Sequence, residues 1–279
     1  MGDTMTSAAM LGSVLLTLIT AGVPRGAQTT QIPTSLTVSS VALDKNDALS
    51  RLVETIRGQA DAFVFLSGGA SNMSDEHQRQ LFAMFEALGQ VATSGRRLAV
   101  GDGGTHAGIM RAAGEARQAS ANAFLLIGVA PAQEIPPRGK TAIDPHHSHI
   151  VAVDNPSVPK DSDAWGSETD TMYWLFNRFA AGRPSVTIVA NGGGITLSEV
   201  AANVNVARPM IVIEGSGRAA DALASLVKKT TPPADLADLR ARAEKAHLAR
   251  RPELYRFVPL TAGAAGLRDA LQQALAQGR

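Results

Sequence analysis

The chain contains no cysteine in 279 residues. Disulfide bridges, thiolate zinc sites and a cysteine nucleophile are therefore excluded, and nothing marks an oxidising or reducing compartment. Aromatic residues make up only 4%, too few for the stacking platforms that hold single-stranded nucleic acid. Neither sign of charge dominates, since 26 Lys and Arg stand against 25 Asp and Glu, a net charge of +1. No basic stripe is present to neutralise a phosphate backbone, so a nucleic-acid partner is not expected. The one locally basic stretch, residues 240–251, reads as the solvated face of a helix.

A long hydrophobic run is also missing. The mostly apolar stretch 10–23 has fourteen residues and is diluted by Gly, Ser and Thr, which is short for a membrane span. It also lacks the basic flank of a secretory signal, because Asp3 precedes it and no Lys or Arg does. Two readings stay open for residues 1–34: an N-terminal arm or helix, or a cleaved signal or anchor. Residues 27–40, rich in Thr, Gln and Ser, read as a linker passing into the first strand. No fixed-period repeat and no later linker divides the chain, so residues 35–279 are expected to form one domain.

What is present is an ordinary globular composition, 45% apolar, with length enough for a substantial core. Apolar runs predict strands at 35–43, 61–66, 97–100, 124–129, 149–153, 186–190, 210–213 and 255–260. Apolar residues at three- and four-residue steps predict helices at 47–57, 75–91, 105–117, 168–181, 196–204, 217–229, 234–248 and 264–276. This alternation predicts an α/β fold, a doubly wound, mostly parallel sheet with helices on both faces. Ser74 or Asp75, Thr105 and Ser216 are the expected helix caps. The segment 131–145, with four prolines, is the long irregular loop, either a binding element or a plain surface excursion.

The most informative feature is a repeated grammar of strand, glycine turn and helix. Val186 to Ala190 runs into Asn191, Gly192, Gly193, Gly194, Ile195 and Thr196. Leu98 to Val100 runs into Gly101, Asp102, Gly103, Gly104 and Thr105. Met210 to Ile213 runs into Glu214, Gly215, Ser216, Gly217 and Arg218. A weaker copy joins Phe63 to Leu66 with Ser67, Gly68 and Gly69. One such turn can simply close a connection. Four of them, each opening a helix, predict a shared anion-binding crevice at the carboxyl ends of parallel strands.

Around those turns stand the residues that can carry chemistry. Arg218 can fork onto a phosphate held by backbone amides, or pair with Glu214 or Asp221. Glu199 lies three residues after Thr196, the spacing of a capping box, and can equally bind a ribose hydroxyl or act as a general acid or base. Asp102 fits an Asx turn or a ribose contact. His146, His147 and His149 cluster before a strand, and with Asp144 or Asp154 they contain metal-ligand types, but no third ligand has a recognisable spacing. Hydrogen bonding to ligand or neighbouring loops is the expectation there, with no metal. No Gly-x-Ser-x-Gly elbow follows a strand, which disfavours serine hydrolase chemistry.

Four segments occur together in one order: Asp144-Pro-His-His-Ser-His-Ile-Val-Ala-Val-Asp154, Gly166-Ser-Glu168, Asn191-Gly-Gly-Gly-Ile-Thr196 and Glu214-Gly-Ser-Gly-Arg-Ala-Ala-Asp221. In that order and spacing the chain resembles the SLOG superfamily over about residues 35–229, and within it the LSDAT branch. That branch includes the cytosolic N-terminal domain of melastatin-type TRP channels (TRPM) and bacterial proteins. The resemblance implies a Rossmann-like fold that senses a nucleotide-derived ligand such as ADP-ribose, cyclic ADP-ribose or NAD. It carries ligand contact onto Gly103, Gly104, Thr105, Gly193 and Arg218.

A second branch of the superfamily implies an enzyme. Residues 191–199 have the length of the Pro-Gly-Gly-x-Gly-Thr-x-x-Glu motif of LOG-type phosphoribohydrolases. Those enzymes cleave the N-glycosidic bond of a nucleoside phosphate, and Glu199 would be the catalytic carboxyl. Here Asn191 replaces Pro and Ile195 replaces Gly. The expected ligand site thus comprises Gly68, Gly69, Gly101, Asp102, Gly103, Gly104, Thr105, Asn191, Gly192, Gly193, Gly194, Thr196, Gly215, Ser216, Gly217 and Arg218, with Glu168, His147 and His149, and Glu199 is the catalytic residue if the protein is an enzyme. The expected ligand is a nucleotide or ADP-ribose-like molecule, with no required cofactor. Output is expected through a homo-oligomer or a separate effector protein. A cytoplasmic location without membrane contact is expected, with export or anchoring through residues 10–23 as the alternative.

Overall fold

The computed structural model describes residues 34–69 and 73–276. The readings made for residues 10–23, and for the linker before residue 34, lie outside the described residues. Eight strands run in chain order: β1 Thr34–Ser39, β2 Ala62–Gly68, β3 Leu98–Asp102, β4 Leu125–Pro131, β5 His149–Asp154, β6 Ser185–Ala190, β7 Met210–Glu214 and β8 Tyr255–Pro259. Eight helices accompany them: α1 Asp47–Gln59, α2 Asp75–Thr93, α3 Gly108–Ala119, α4 Thr169–Ala180, α5 Gly194–Asn205, α6 Arg218–Lys228, α7 Ala237–Lys245 and α8 Gly263–Ala276.

All strand pairs are parallel, in one sheet of order β1-β5-β4-β3-β2-β6-β7-β8. This is the doubly wound Rossmann-like architecture. Alternate residues of β2 divide the core between the two faces of the sheet. Ala62, Val64 and Leu66 pack with α2, α3 and α8, whereas Phe63 and Phe65 pack with α4, where Phe65 stacks on Phe176 at 4.2 Å between centroids. Farther along that second face, Val189 of β6 and Val212 of β7 lie beneath α5 and α6. Covered on both sides, the central strands have no polar face, which is why they read as unbroken apolar runs.

The topology also locates a crevice. From β2 the chain moves outward through β3 and β4, then crosses after β5 to β6 on the other side of β2. Strand order therefore reverses between β2 and β6, and their carboxyl ends open a gap there. The register brings Gly68 opposite Ala190. A Cβ on Gly68 would fall 1.9 Å from the Ala190 carbonyl oxygen, so glycine here permits the two strand ends to meet.

Several boundaries differ from expectation. Strand β1 stops at Ser39 rather than residue 43, because Leu43–Lys45 turns into a 3-10 helix. The helix expected at 234–248 breaks into a 3-10 turn, α7 and a second 3-10 turn. Among the described residues no helix is long and apolar enough to cross a membrane.

Candidate functional site

The first turn of α5 stands at the β2/β6 crevice. Leu197 N is bonded back to Gly193 O, so the amides of Gly194, Ile195 and Thr196 precede the helical ladder and have no intrahelical acceptor. Thr196 does not begin the helix as expected. It sits at the third helical position and accepts from Gly193 N at 3.2 Å, leaving Glu199 outside any capping box. The positive φ angles of this turn fall on Asn191 (52°) and Gly192 (85°), so Ile195 adopts a helical conformation without strain. The Pro and Gly of the related hydrolase motif are therefore not needed to shape this turn.

The turn is clamped by its neighbour. Asn191 N donates to Ser216 Oγ at 2.8 Å, and Asn191 Nδ2 to Ser216 O at 2.9 Å. In return, Ala219 N and Ala220 N at the start of α6 donate to the carbonyls of Gly192 and Asn191. Gly215 N and Gly217 N are both taken by the Asp221 carboxylate. The Gly-Ser-Gly turn thus spends its amides on its own shape, since Ser216 N also bonds Ile213 O. Ser216 does not cap α6 as expected, since its hydroxyl donates to Ile213 O.

What this clamp positions is Arg218. Its φ of 51° is uncommon for a residue with a side chain. Its Nη2 lies 3.2 Å from the point where a Cβ on Gly193 would stand, beside the open first turn of α5. Of the two acidic residues considered beside it, Glu214 pairs with Lys228 at 2.7 Å and Asp221 with the turn amides.

Two carboxyl groups complete the crevice. Glu199, 8% exposed, accepts a short hydrogen bond of 2.5 Å from Ser67 Oγ at the end of β2. Burial pushes its carboxyl up to about 8 against the pull of that bond, and the nearby charge of Glu168 raises it further. Glu168, 6% exposed, accepts from Gly166 N at 2.8 Å. Burial raises it to about 7, against the hydrogen bonds from its own amide and Gly166, and Glu134 and Asp163 add to the rise. Paired titratable groups forced into the neutral range within a cleft are a functional signature. Beside them Trp165 and Ile195 remain 37% and 42% exposed, and Ile195 lies 3.5 Å from the Cβ position of Gly166.

The second glycine turn is organised differently. Asp102 and His147 are fully buried, with Asp102 Oδ1 to His147 Nε2 at 2.8 Å. Asp144 Oδ1 faces the other ring nitrogen at 3.3 Å, and Asp144 Oδ2 faces His106 Nδ1 at 2.7 Å. Burial alone would lower His147, but Asp102 and then Asp144 outweigh it and raise the ring to about 9. Asp102 Oδ1 also accepts from Gly104 N, an Asx turn. Thr105 does not cap α3. It bridges to Ile143 instead, and α3 begins at Gly108. This network ties the glycine turn to the proline-rich loop through Asp144 N and Gly104 O, and Gly103 follows the end of β3 with its Cβ position 3.8 Å from the Met110 side chain. Gly101 answers a packing need, since a Cβ there would stand 2.5 Å from the Phe176 ring.

The structure therefore gathers Gly68, Gly69, residues 191–194, Thr196, Glu199, Glu168 and Arg218 at one place. A Cβ on Gly69 would stand 3.6 Å from Gly192 Cα. His147 is interior, and His149 lies three strands from β2, bonded to Ser148 Oγ. Arg242 of α7 also reaches this place, its Nη2 2.8 Å from the point where a Cβ on Gly194 would stand. Sequence reasoning assigned no role to Ser67, Trp165 or Arg242. The first was read only as part of the weakest glycine turn, and the last was absorbed into a basic helix face.

The family described as SLOG in TRPM, prokaryote, matches residues 61–267. No curated protein matches the sequence significantly. The matched span runs from the start of β2 into α8 and contains every residue of the crevice, and the chain belongs to this prokaryotic LSDAT family of the SLOG superfamily.

Proposed function

We propose that this domain binds a nucleotide-derived, phosphate-bearing ligand of the ADP-ribose, cyclic ADP-ribose or NAD type in the β2/β6 crevice and acts as its sensor. Family membership supports a nucleotide-related binding domain or a LOG-like domain. The observation that carries the proposal is the Arg218 guanidinium held beside Gly193 at the open first turn of α5. Amides with no acceptor among the described residues, a helix dipole and a guanidinium converge there, and all three favour a phosphate oxygen. The carboxyl groups of Glu168 and Glu199 suit ribose hydroxyls, and the exposed Trp165 and Ile195 suit the flat face of a base.

A second reading has its own observation. A carboxyl pushed up to about 8 is protonated at neutral pH and can donate a proton to a leaving base. On that reading Glu199 is the general acid of an N-glycosidic hydrolysis.

Thermal unfolding of the wild type and Arg218→Ala with ADP-ribose, cyclic ADP-ribose, NAD and AMP tests both, with each mixture analysed by mass spectrometry. A ligand at ~100 times its Kd adds about 2.7 kcal/mol of stability. The sensor predicts a shift with unchanged ligand, lost in Arg218→Ala. Released base that disappears in Glu199→Gln would transfer the assignment to the hydrolase, and no response to any ligand would sink both.

A further inference from the structure

A polar chain runs beneath the crevice between α4, α5 and the sheet, and it ends on a buried charge. Arg208, just before β7, is 5% exposed. Its guanidinium stacks on the Phe65 ring at 4.5 Å and donates to neutral groups: Nη1 to Asn203 Oδ1 at 2.9 Å, Nη2 to Asn177 Oδ1 at 2.6 Å and Nε to Ser185 Oγ at 3.4 Å. Burial lowers it to about 10, so it stays charged at neutral pH. A buried guanidinium held by neutral groups is unfavourable for folding, and its position calls for another explanation.

The explanation lies in direction. Arginine has donors and no acceptor, so its bond to Asn203 fixes which end of that amide is oxygen. Thr187 Oγ1 of β6 donates to the same oxygen at 2.7 Å. The amide nitrogen of Asn203 must then face the other way, where it donates to the Tyr173 hydroxyl of α4 at 3.0 Å and to the Glu199 carbonyl at 2.9 Å. With its oxygen accepting from Asn203, Tyr173 turns its own proton toward Ser67, which lies beside it. Ser67 in turn donates to Glu199 Oε2 at 2.5 Å. Each bond points toward the crevice, and the donor-only Arg208 sets the sense of the series.

Glu199 receives the last of these bonds. With Oε2 held as an acceptor, a proton on the carboxyl belongs on Oε1. Among the described residues nothing bonds Oε1, and it is not one of the enclosed polar atoms that lack a partner, so it is open to the crevice. We propose that Arg208 is a positioning residue for Glu199, acting through Asn203, Tyr173 and Ser67 to present the carboxyl proton on Oε1 to an acceptor atom of the ligand, such as a ring nitrogen or a phosphoryl oxygen. The ligand contact rests on the binding reading above, whereas the proton direction needs no ligand.

Infrared spectroscopy of the ligand-free protein across pH tests the direction, with the Glu199 acid band assigned by its loss in Glu199→Gln and so separated from that of Glu168. In the wild type the acid carbonyl is Oε2, and its stretch should lie low because it accepts from Ser67. Ser67→Ala should raise that frequency and move the Glu199 midpoint up by about one pH unit or more, since a hydrogen bond to the ionised form is lost. Ser67→Thr should restore both. In Asn203→Asp the new carboxylate accepts from Arg208 and from Tyr173, so Tyr173 turns away from Ser67 and Glu199 donates from Oε2 instead. The acid carbonyl is then Oε1, and its frequency should rise. Arg208→Gln, whose amide either donates or accepts, should give two bands. Circular dichroism checks the fold of each variant, and if Arg208→Gln does not fold, Asn203→Asp decides. A wild-type band in Ser67→Ala, in Asn203→Asp or in folded Arg208→Gln would overturn the proposal. In calorimetry Asn203→Asp should bind ADP-ribose or NAD at least about threefold more weakly, and unchanged affinity with shifted bands would overturn the contact from Oε1. Shifted bands with no nucleotide bound by the wild type would overturn the ligand-binding reading and leave the proton direction standing.

Discussion

Gly114 shows how one missing side chain supports a distant polar network. It lies within α3, where glycine is normally unfavourable by roughly 1 kcal/mol against alanine. A Cβ at that point would stand 2.2 Å from Asp144 Oδ1, the carboxylate that bonds His147, His106 and the His146 amide. Gly114→Ala should therefore cost about 1–3 kcal/mol despite the gain in helix propensity, because it pushes on a buried ion network that cannot yield cheaply. Gly58 in α1 has nothing within 4 Å of its Cβ position. Gly58→Ala should be neutral or stabilising by up to about 1 kcal/mol. Urea denaturation of the two variants measures the contrast directly.

At the scale of elements, the decisive contact is between two loops with similar sequences. Four hydrogen bonds join them: Asn191 donates two to Ser216, and Ala219 N and Ala220 N, just past the Gly-Ser-Gly turn, donate to the carbonyls of Gly192 and Asn191. Ser216→Ala removes the acceptor of Asn191 N and a donor to Ile213 O, both buried. It should cost about 1–3 kcal/mol. Because the clamp positions Arg218, nucleotide affinity should fall as well, and parallel melting and titration experiments would separate the two effects.

The same elements show how far sequence reasoning reached. Each predicted strand and helix has a counterpart, since apolar periodicity is a local signal. The helix starts fared unevenly. Ser74 caps α2 through His77 N as expected, where only neighbouring residues compete. Thr105 and Ser216 were drawn to Ile143 and Asn191, partners 38 and 25 residues away, and no local rule contains such partners. Arg242 was unreadable for a similar reason, since nothing in its own helix connects it to Gly194.

For the whole molecule, three buried ionisable groups, Glu199, Glu168 and His147, act in one direction. Glu199 and Glu168 have carboxyls raised from 4.5 to about 8 and about 7. At pH 4 these groups are protonated in both folded and unfolded states and cost little. As pH rises the unfolded chain ionises first, so folding is progressively penalised until the folded groups ionise too. His147 is raised from 6.5 to about 9. Its ion pairs stabilise fully below pH 6.5, and that contribution is lost as pH rises through about 9. Stability should therefore fall as pH rises from about 4.5 to about 9, with the glutamates acting up to about pH 7 and 8 and His147 acting above 6.5. Glu199→Gln should lose much of the Glu199 share and become more stable than the wild type near pH 9. A variant with an unchanged slope would show that Glu199 is ionised throughout.

What the sequence by itself determined was the class of molecule: a parallel sheet wrapped by helices, with glycine turns at strand ends and a family motif in order. Those features follow from periodicity and local backbone chemistry. Only the tertiary structure decided which turns remain open. The amides of the Gly-Ser-Gly turn are consumed by Asp221 and Ile213, the second turn is locked to the His147 network, and the first-turn amides of α5 have no acceptor among the described residues, beside Arg218 and Arg242. That division depends on hydrogen-bond partners brought together by strand order, because an amide binds whatever acceptor the fold places nearest to it.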